Sequence, residues 1–428
     1  MTEIKKENKS VGKVPNLRFP QFTEEWETKK LGDVMDFKVT NSFSRENLNY
    51  KAGTVKNIHY GDIHTKFQTL FDTTKEVIPF INEEINLDRI SNENYCKEGD
   101  VIFADASEDL NDVGKSIEIV NVNGEKLLSG LHTLLARPKK SIFHLGFNGY
   151  LFKSNSVRTQ IQKESQGSKV LSINVGRISK IDLSFPAVDE QQKITSFFAL
   201  LDERIQTQNK IIGEINGLKA TVIKKIFAGQ LKFKDDNGKD FPNWNKTALA
   251  EIGEFSGGGT PSSSNIDFWN GNIPWVSSSD LSENNIRSIN VSKFITESAI
   301  DNSATKLCPA PMILIVSRVG VGKVAYSDRS ICTSQDFLNV YNFNCNGLFL
   351  TYLISKEMKK AASNTQGTSI KGITASEIKS TEIQLPCKPE QNKIADFLSS
   401  IDLKIDIENQ FLQKLEEQKK FLLQQMFV

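Results

Sequence analysis

The stretch SFPAVDEQQKITSFFALLDERI (Ser184–Ile205) returns two hundred residues later as QLPCKPEQNKIADFLSSIDLKI (Gln384–Ile405). Identical pairs at this offset include Pro186/Pro386, Glu190/Glu390, Gln191/Gln391, Lys193/Lys393, Ile194/Ile394, Phe197/Phe397 and Asp202/Asp402. The match extends back through Ile178/Ile378, Ile173/Ile373 and Gly167/Gly367 to Gln166/Gln366, and forward without a gap to Phe227/Phe427. A self-match at one fixed period over so long a run marks a fold built twice. A weaker match opens each copy: Phe19-Pro20, Trp26, Leu31 and Val34 parallel Phe241-Pro242, Trp244, Leu249 and Ile252. The tryptophans are 218 residues apart, so the material between opening and closing motifs is 18 residues shorter in the second copy. One frame is used twice, around two inserts of different length and sequence.

The closing motif leads into a helix. Residues 189–228 contain no proline, Glu190 and Gln191 suit a first helical turn, and the apolar residues recur every seven. One seam row is Phe198, Ile205, Ile212, Lys219 and Ile226, and the other is Ile194, Leu201, Gln208, Ile215 and Val222. The second copy repeats both rows: Leu398, Ile405, Leu412, Lys419 and Met426, with Ile394, Ile401, Glu408, Leu415 and Leu422. A two-residue-wide seam over five heptads predicts a coiled coil, and two such helices in one chain predict an antiparallel pair, each about 60 Å long. The polar seam residues Gln208, Lys219, Glu408 and Lys419 either set register or face solvent or a partner. Within the inserts, Asn57–Ile63 weakly matches Ile273–Leu281, and Gly99–Phe103 matches Pro311–Ile315. Each apolar run predicts a buried strand. The expected fold is α+β: two globular mixed α/β domains separated by two long helices in an antiparallel coiled coil, with pseudo-two-fold repetition. The expected segments are a tail (1–14), a first domain (15–187), a first helix (188–228), a linker (229–243), a second domain (244–387) and a second helix (388–428).

Composition adds exclusions. The 428 residues carry 53 basic and 52 acidic side chains and are 38% hydrophobic, which rules out a mainly disordered chain. No apolar run approaches the ~18 residues of a membrane span. The polar start, MTEIKKENKS, has no apolar core of a signal peptide, and five cysteines without a CxxC pair suit a reducing cytoplasm. A formal charge of +1 removes the simplest argument for nucleic-acid binding, a high isoelectric point. No catalytic set emerges. Val319–Val324 resembles a phosphate loop, but Ser317 and Val324 stand where that motif needs glycine and Ser or Thr. His59, His64, His132 and His144 all lie in the first insert without counterparts in the second, and the cysteines lack zinc spacing. No catalytic residue, metal site or bound cofactor is expected.

The double frame, the Gln-Gly-Ser/Thr segments, the Leu-Ser-Phe-Pro and Ile-Gln-Leu-Pro strand ends and the Glu-Gln-x-Lys-Ile helix openings resemble the DNA-specificity subunit of a type I restriction-modification system. Ser256–Pro261 with Phe268–Val276 resembles the start of one of its target recognition domains. The resemblance implies one DNA half-site per recognition domain, and two antiparallel helices that fix the unread spacer. It implies two methyltransferase subunits that use S-adenosylmethionine to methylate adenine, and two restriction subunits that use ATP and magnesium. It also implies that this chain has no active site of its own. The alternative is the recognition portion of a self-contained methyltransferase-endonuclease, which the missing cofactor and target motifs disfavour. The first insert departs from the pattern, with Lys38–Ser42 where the second has its Gly-Thr-Pro start. The two domains are therefore expected to read different half-sites.

Neither insert is basic: Trp26–Ser165 has 18 basic and 20 acidic residues, and Trp244–Thr365 has 10 of each. Phosphate neutralisation must then come from local patches or from partners. Base readers must be side chains that reach base edges from insert loops. The candidates are Lys56, Asn57, His59, Tyr60 and Lys66 in the first half, and Ser277, Ser278, Ser279, Arg318, Lys323 and Gln335 in the second. The repeated segments Gln166-Gly167-Ser168-Lys169 and Gln366-Gly367-Thr368-Ser369 are candidate phosphate-contact turns, or purely structural ones. Asp62 and Asp280 are expected to cap or brace loops.

Overall fold

The computed structural model describes residues 14–364 and 372–428. They fall into two compact units, one running to Thr207 and including Leu412–Val428, the other Gln208–Phe411. Each long helix is shared between the units.

The inserts have one topology. The first unit holds a five-stranded sheet in the order Met35–Lys38, Thr133–Pro138, Val101–Ala104, Ser116–Asn121, Leu70–Asp72. The second has the same arrangement without the last strand: Glu254–Gly257, Phe337–Tyr341, Met312–Val316, Val324–Ser327. A second sheet in each unit contains one parallel pair, Val55–Ile58 with Lys126–Ser129 and Ile273–Val276 with Ile331–Thr333. Of the runs predicted to be buried strands, Asn57–Ile63 and Ile273–Leu281 are strand only as far as Ile58 and Val276 and then turn into short helices. Gly99–Phe103 and Pro311–Ile315 fall on the strands Val101–Ala104 and Met312–Val316, where every residue is buried. Such strands are covered on both faces, which is why they read as continuous apolar runs.

The frame closes each insert on itself. Glu27–Lys30 pairs antiparallel with Asp182–Phe185, and Asn245–Ala248 pairs with Glu382–Leu385. The next turn starts the helix, where the repeated glutamine acts as a clamp. Gln191 donates to the carbonyl of Pro186 at 2.8 Å and accepts from the His144 amide at 2.8 Å. Gln391 donates to Pro386 and accepts from the Asn346 amide, both at 2.8 Å. Both glutamines are buried, so the bonds satisfy polar groups that water does not reach.

The long helices span Val188–Phe227 and Lys388–Gln425. Every seam residue predicted from the heptads is buried or half-buried, whereas Glu203, Lys210 and Glu214 between them are exposed. Within each unit the helix stretches pair antiparallel. In the first, Phe198 meets Phe427 and Asp202 meets Lys419. In the second, Gln208 meets Glu408 and Lys219 meets Asp402. Of the polar seam residues, Gln208 and Glu408 therefore face each other, while Lys219 and Lys419 each face the repeated aspartate of the opposite helix, Asp402 and Asp202. Gln208 donates to the Glu408 carbonyl at 3.1 Å. The Asp402 carboxylate takes Lys219 and the Tyr352 hydroxyl; Asp202 takes Lys419 and, at 2.9 Å, the Tyr150 hydroxyl. These groups find their partners only in this alignment, which is how a polar seam residue fixes register.

Each helix end completes a core. Met426 and Phe427 are buried in the first unit, where the Phe427 ring lies 6.1 Å from Trp26 and 5.9 Å from Phe147. In the second, Ile226 is buried and Phe227 lies 6.2 Å from Trp244 and 5.6 Å from Phe349. The opening tryptophan and the closing phenylalanine thus meet in both copies. Among the described residues no helix is long and apolar enough to cross a membrane.

Candidate nucleic-acid interface

Matched backbone hydrogen bonds place the same loops at the same edge of each unit. Gly130 N–H donates to the Ile58 carbonyl at 2.9 Å, and Ser334 donates to Val276 at 2.9 Å. Asp105 donates to His132 at 3.0 Å, and Ser317 donates to Asp336 at 2.8 Å. Ile173 donates to Asp105 at 2.8 Å, and Ile373 donates to Ser317 at 2.7 Å. Three strand ends and the chain at Ile173 or Ile373 thus converge on one edge of each unit. Surface loops on a rigid scaffold are where recognition chemistry concentrates.

In the second unit this edge gathers the sequence candidates. Ser277, Ser278 and Ser279 form a turn braced by Asp280, which accepts from the Ser277 amide and hydroxyl, each at 2.7 Å. Lys323 donates to the Ser278 carbonyl at 3.3 Å. Arg318 and Gln335 are exposed, and the Thr260 hydroxyl donates to the Gln335 side chain. The glycine-rich opening runs against the same strand end: Gly259 donates to the Thr333 carbonyl at 2.8 Å and accepts from the Trp275 indole at 3.0 Å. A Cβ on Gly258 would fall 2.1 Å from the Ser334 carbonyl oxygen, so only glycine fits there. Gln366, Gly367, Thr368 and Ser369 lie outside the described residues.

In the first unit His59 caps the helix Tyr60–Thr65, its Nδ1 accepting from the Gly61 amide at 3.2 Å. Burial, and then the charge of Arg45, push the imidazole pKa down to about 4, so the ring is neutral and able to accept. The Tyr60 ring lies 4.6 Å from His59, 6.0 Å from His64 and 5.3 Å from His132. Three histidines thus surround one tyrosine, while the His144 amide serves the Gln191 clamp. No group among the described residues has the makings of a metal site. Lys66 pairs with Asp62 at 2.9 Å and donates to the Tyr50 hydroxyl at 3.3 Å. Burial pushes the Asp62 carboxyl up, but hydrogen bonds from Arg45 and Lys66 overcome it and hold the group below its ordinary value.

Gln166–Lys169 is an exposed turn beside this edge, closed by Gln166 and Ser172 exchanging backbone bonds of 2.9 and 2.7 Å. Gly167 has φ +135°, and a Cβ there would fall 1.9 Å from the Val170 carbonyl oxygen. Gly167 therefore has a steric reason to be glycine.

Lys56 and Asn57 are not loop residues. They lie within the strand Val55–Ile58, where successive side chains take opposite faces. Lys56 reaches Glu125 at 2.6 Å; Asn57 is fully buried and accepts from Asn41 at 2.7 Å. The matched apolar run locates the strand, but the edge starts one residue later, at His59.

Sequence reading also missed Arg45. Its guanidinium donates to both Asp62 oxygens, at 2.8 and 2.7 Å, from a short turn capped by Ser44 and Asn47. Seventeen residues separate the partners, and no local pattern links them. The one available signal was Asp62 itself, an acid placed next to a buried strand and so in need of a cation.

Two dissimilar loop edges on a repeated frame define a protein that presents two different recognition surfaces. The model of the type I restriction modification DNA specificity domain matches residues 23–217 and again residues 242–417, and the chain belongs to this family. It is 33% identical over 202 residues to the type I restriction enzyme MjaIX specificity subunit of Methanocaldococcus jannaschii. That match covers 44% of this chain and 46% of the relative, so the chain spans about half that relative's length. A relative named as the MjaX specificity subunit of the same organism is 25% identical over 413 residues, covering 94% of this chain and 92% of its own. The crystal structure of a type I restriction-modification S subunit from M. genitalium has a TM-score of 0.52 at 13% identity. It covers 97% of this chain and 99% of its own, a likeness of fold.

Proposed function

We propose that this chain is the sequence-reading subunit of a type I restriction-modification complex, each loop edge reading one half of a split DNA target. One observation carries the reading: equivalent positions of one frame present different chemistry. Where the first unit has His59-Tyr60-Gly61-Asp62, the second has Ser277-Ser278-Ser279-Asp280. The bracing aspartate is common to both, while the groups it supports differ. A scaffold that only joined partners would not need two different edges.

The recognition domains are residues 15–187 and 244–387. Side chains at the edges meet base edges, and the exposed turn Gln166–Lys169 meets a phosphate through its amide and side-chain groups. With a net charge of +1, the chain supplies little counterion release, so partner subunits provide most of the affinity for the DNA backbone. Those partners are two methyltransferase subunits, which hold S-adenosylmethionine and modify adenine, and two ATP- and magnesium-dependent restriction subunits. The chain itself is non-catalytic and works in the cytoplasm. The test is to co-express it with a modification subunit of the same system and map adenine methylation across a genome. One split motif with a fixed gap is expected. The absence of both methylation and a stable complex would overturn the proposal.

A further inference from the structure

We propose that Arg45 reads a guanine in the half-site of the first unit, with its guanidinium held in place by the buried Asp62 carboxylate. This rests on the reading of the chain as a DNA-specificity subunit. The Asp62 side chain is 1% exposed, while that of Arg45 is 44% exposed. The pairing is end-on, Nη1 to one carboxylate oxygen and Nη2 to the other, and it uses one hydrogen of each nitrogen. The remaining Nη1 hydrogen faces the Tyr50 hydroxyl at 3.4 Å. Nε–H and the second Nη2 hydrogen lie side by side along the adjacent edge of the planar group, with no partner among the described residues. Two parallel donors on one rigid fork match the O6 and N7 acceptors that guanine shows in the major groove.

Both ends of the side chain are anchored. At the backbone, the Ser44 amide donates to the Asn47 side chain at 3.1 Å, the Asn82 amide donates to the Asn47 carbonyl at 2.9 Å, and the Asn82 side chain donates to the Glu46 carbonyl at 3.0 Å. At the head, Asp62 sits on the helix capped by His59. Fixing the group beforehand removes the ordering cost of binding. Lys66 also pairs with Asp62, so one carboxylate carries two cations and the Arg45–Asp62–Lys66 cluster keeps net positive charge. Simple bracing needs one cation. In the second unit the equivalent Asp280 turns to its own Ser277, so the guanine contact belongs to the first half-site alone.

The experiment uses the full chain assembled with its modification subunit. Methylation motifs are mapped for wild type, Arg45→Gln, Arg45→Lys and Asp62→Asn, and rates are measured on duplexes with each base at the position that relaxes. Arg45→Gln should relax one guanine position of one half-site, lowering discrimination there roughly 5- to 150-fold, with the other half-site and the gap unchanged. Arg45→Lys keeps the charge and the Asp62 pairing, so it guards against loss of the fold, and it should relax the same position because an ammonium lacks the fork. Asp62→Asn should relax that position to a smaller extent. A split wild-type motif that neither Arg45 variant alters overturns this assignment alone. A wild-type map without a split motif overturns the underlying reading and this assignment with it.

Discussion

Lys219→Met removes the cation from Asp402 in the second unit while keeping the length of the side chain. The Lys219 and Asp402 side chains are 8% and 3% exposed, so neither charge is satisfied by water. Asp402 would retain the Tyr352 hydroxyl, one neutral donor in place of an ammonium. Stripping one partner from a buried pair costs about 3–5 kcal/mol, because the desolvated charge stays behind. The matching pair Lys419–Asp202 is 18% and 17% exposed, so Lys419→Met should cost less, about 1–3 kcal/mol. The triple variant Lys219→Met/Asp402→Leu/Tyr352→Phe removes both charges and the hydroxyl that would lose its acceptor. It should return to within about 1 kcal/mol of wild type or exceed it, since apolar replacements of buried pairs are often neutral or stabilising. Urea unfolding followed by tryptophan fluorescence suits the measurement, because Trp244, Trp269 and Trp275 all belong to this unit. A Lys219→Met protein within about 0.5 kcal/mol of wild type, well below the cost of a stripped buried charge, would refute the reasoning. A triple variant no more stable than the single one would do the same.

Phe427→Ala should destabilise the first unit by about 3–5 kcal/mol, since the ring packs among Trp26, Phe147 and Phe198; an unaffected urea midpoint would show the contact to be idle. His59 has a folded pKa below its ordinary 6.5, so the stability it contributes is complete above about pH 6.5 and lost as pH falls towards 4. His59→Asn also caps helices and should flatten the acid limb of the first unit's Tm between those values; an unchanged limb would count against the neutral cap. Gly258→Ala forces a Cβ to 2.1 Å from the Ser334 carbonyl oxygen, and should lower the second unit's Tm while leaving the first unit's transition in place.

Much of the frame was legible in the sequence because it repeats. The paired Glu-Gln openings, each four residues after the repeated proline, mark the helix starts, and the heptads mark the seam down to its polar members. What a seam cannot state is its partner. That Phe427 closes on Trp26, some four hundred residues earlier, follows from the antiparallel pairing and not from any local pattern. The extra strand Leu70–Asp72, parallel to Ser116–Asn121, was likewise silent, being short and set by its neighbour. At the edges, residue type misled where position decides. Asn57 and Lys56 have base-reading chemistry, but strand alternation turns one into the core and leaves the other paired with Glu125. Arg45 was hidden because its geometry is made by a carboxylate seventeen residues away.

The central claim is that two edges on one frame read DNA independently. The most direct measurement exchanges residues 244–387 for the equivalent segment of another family member, keeps the helices, assembles the chain with its modification subunit and maps methylation. Half of the split motif should change, while the other half and the gap stay as in the parent. A motif that changes throughout, or an assembled complex that methylates nothing, would contradict the account.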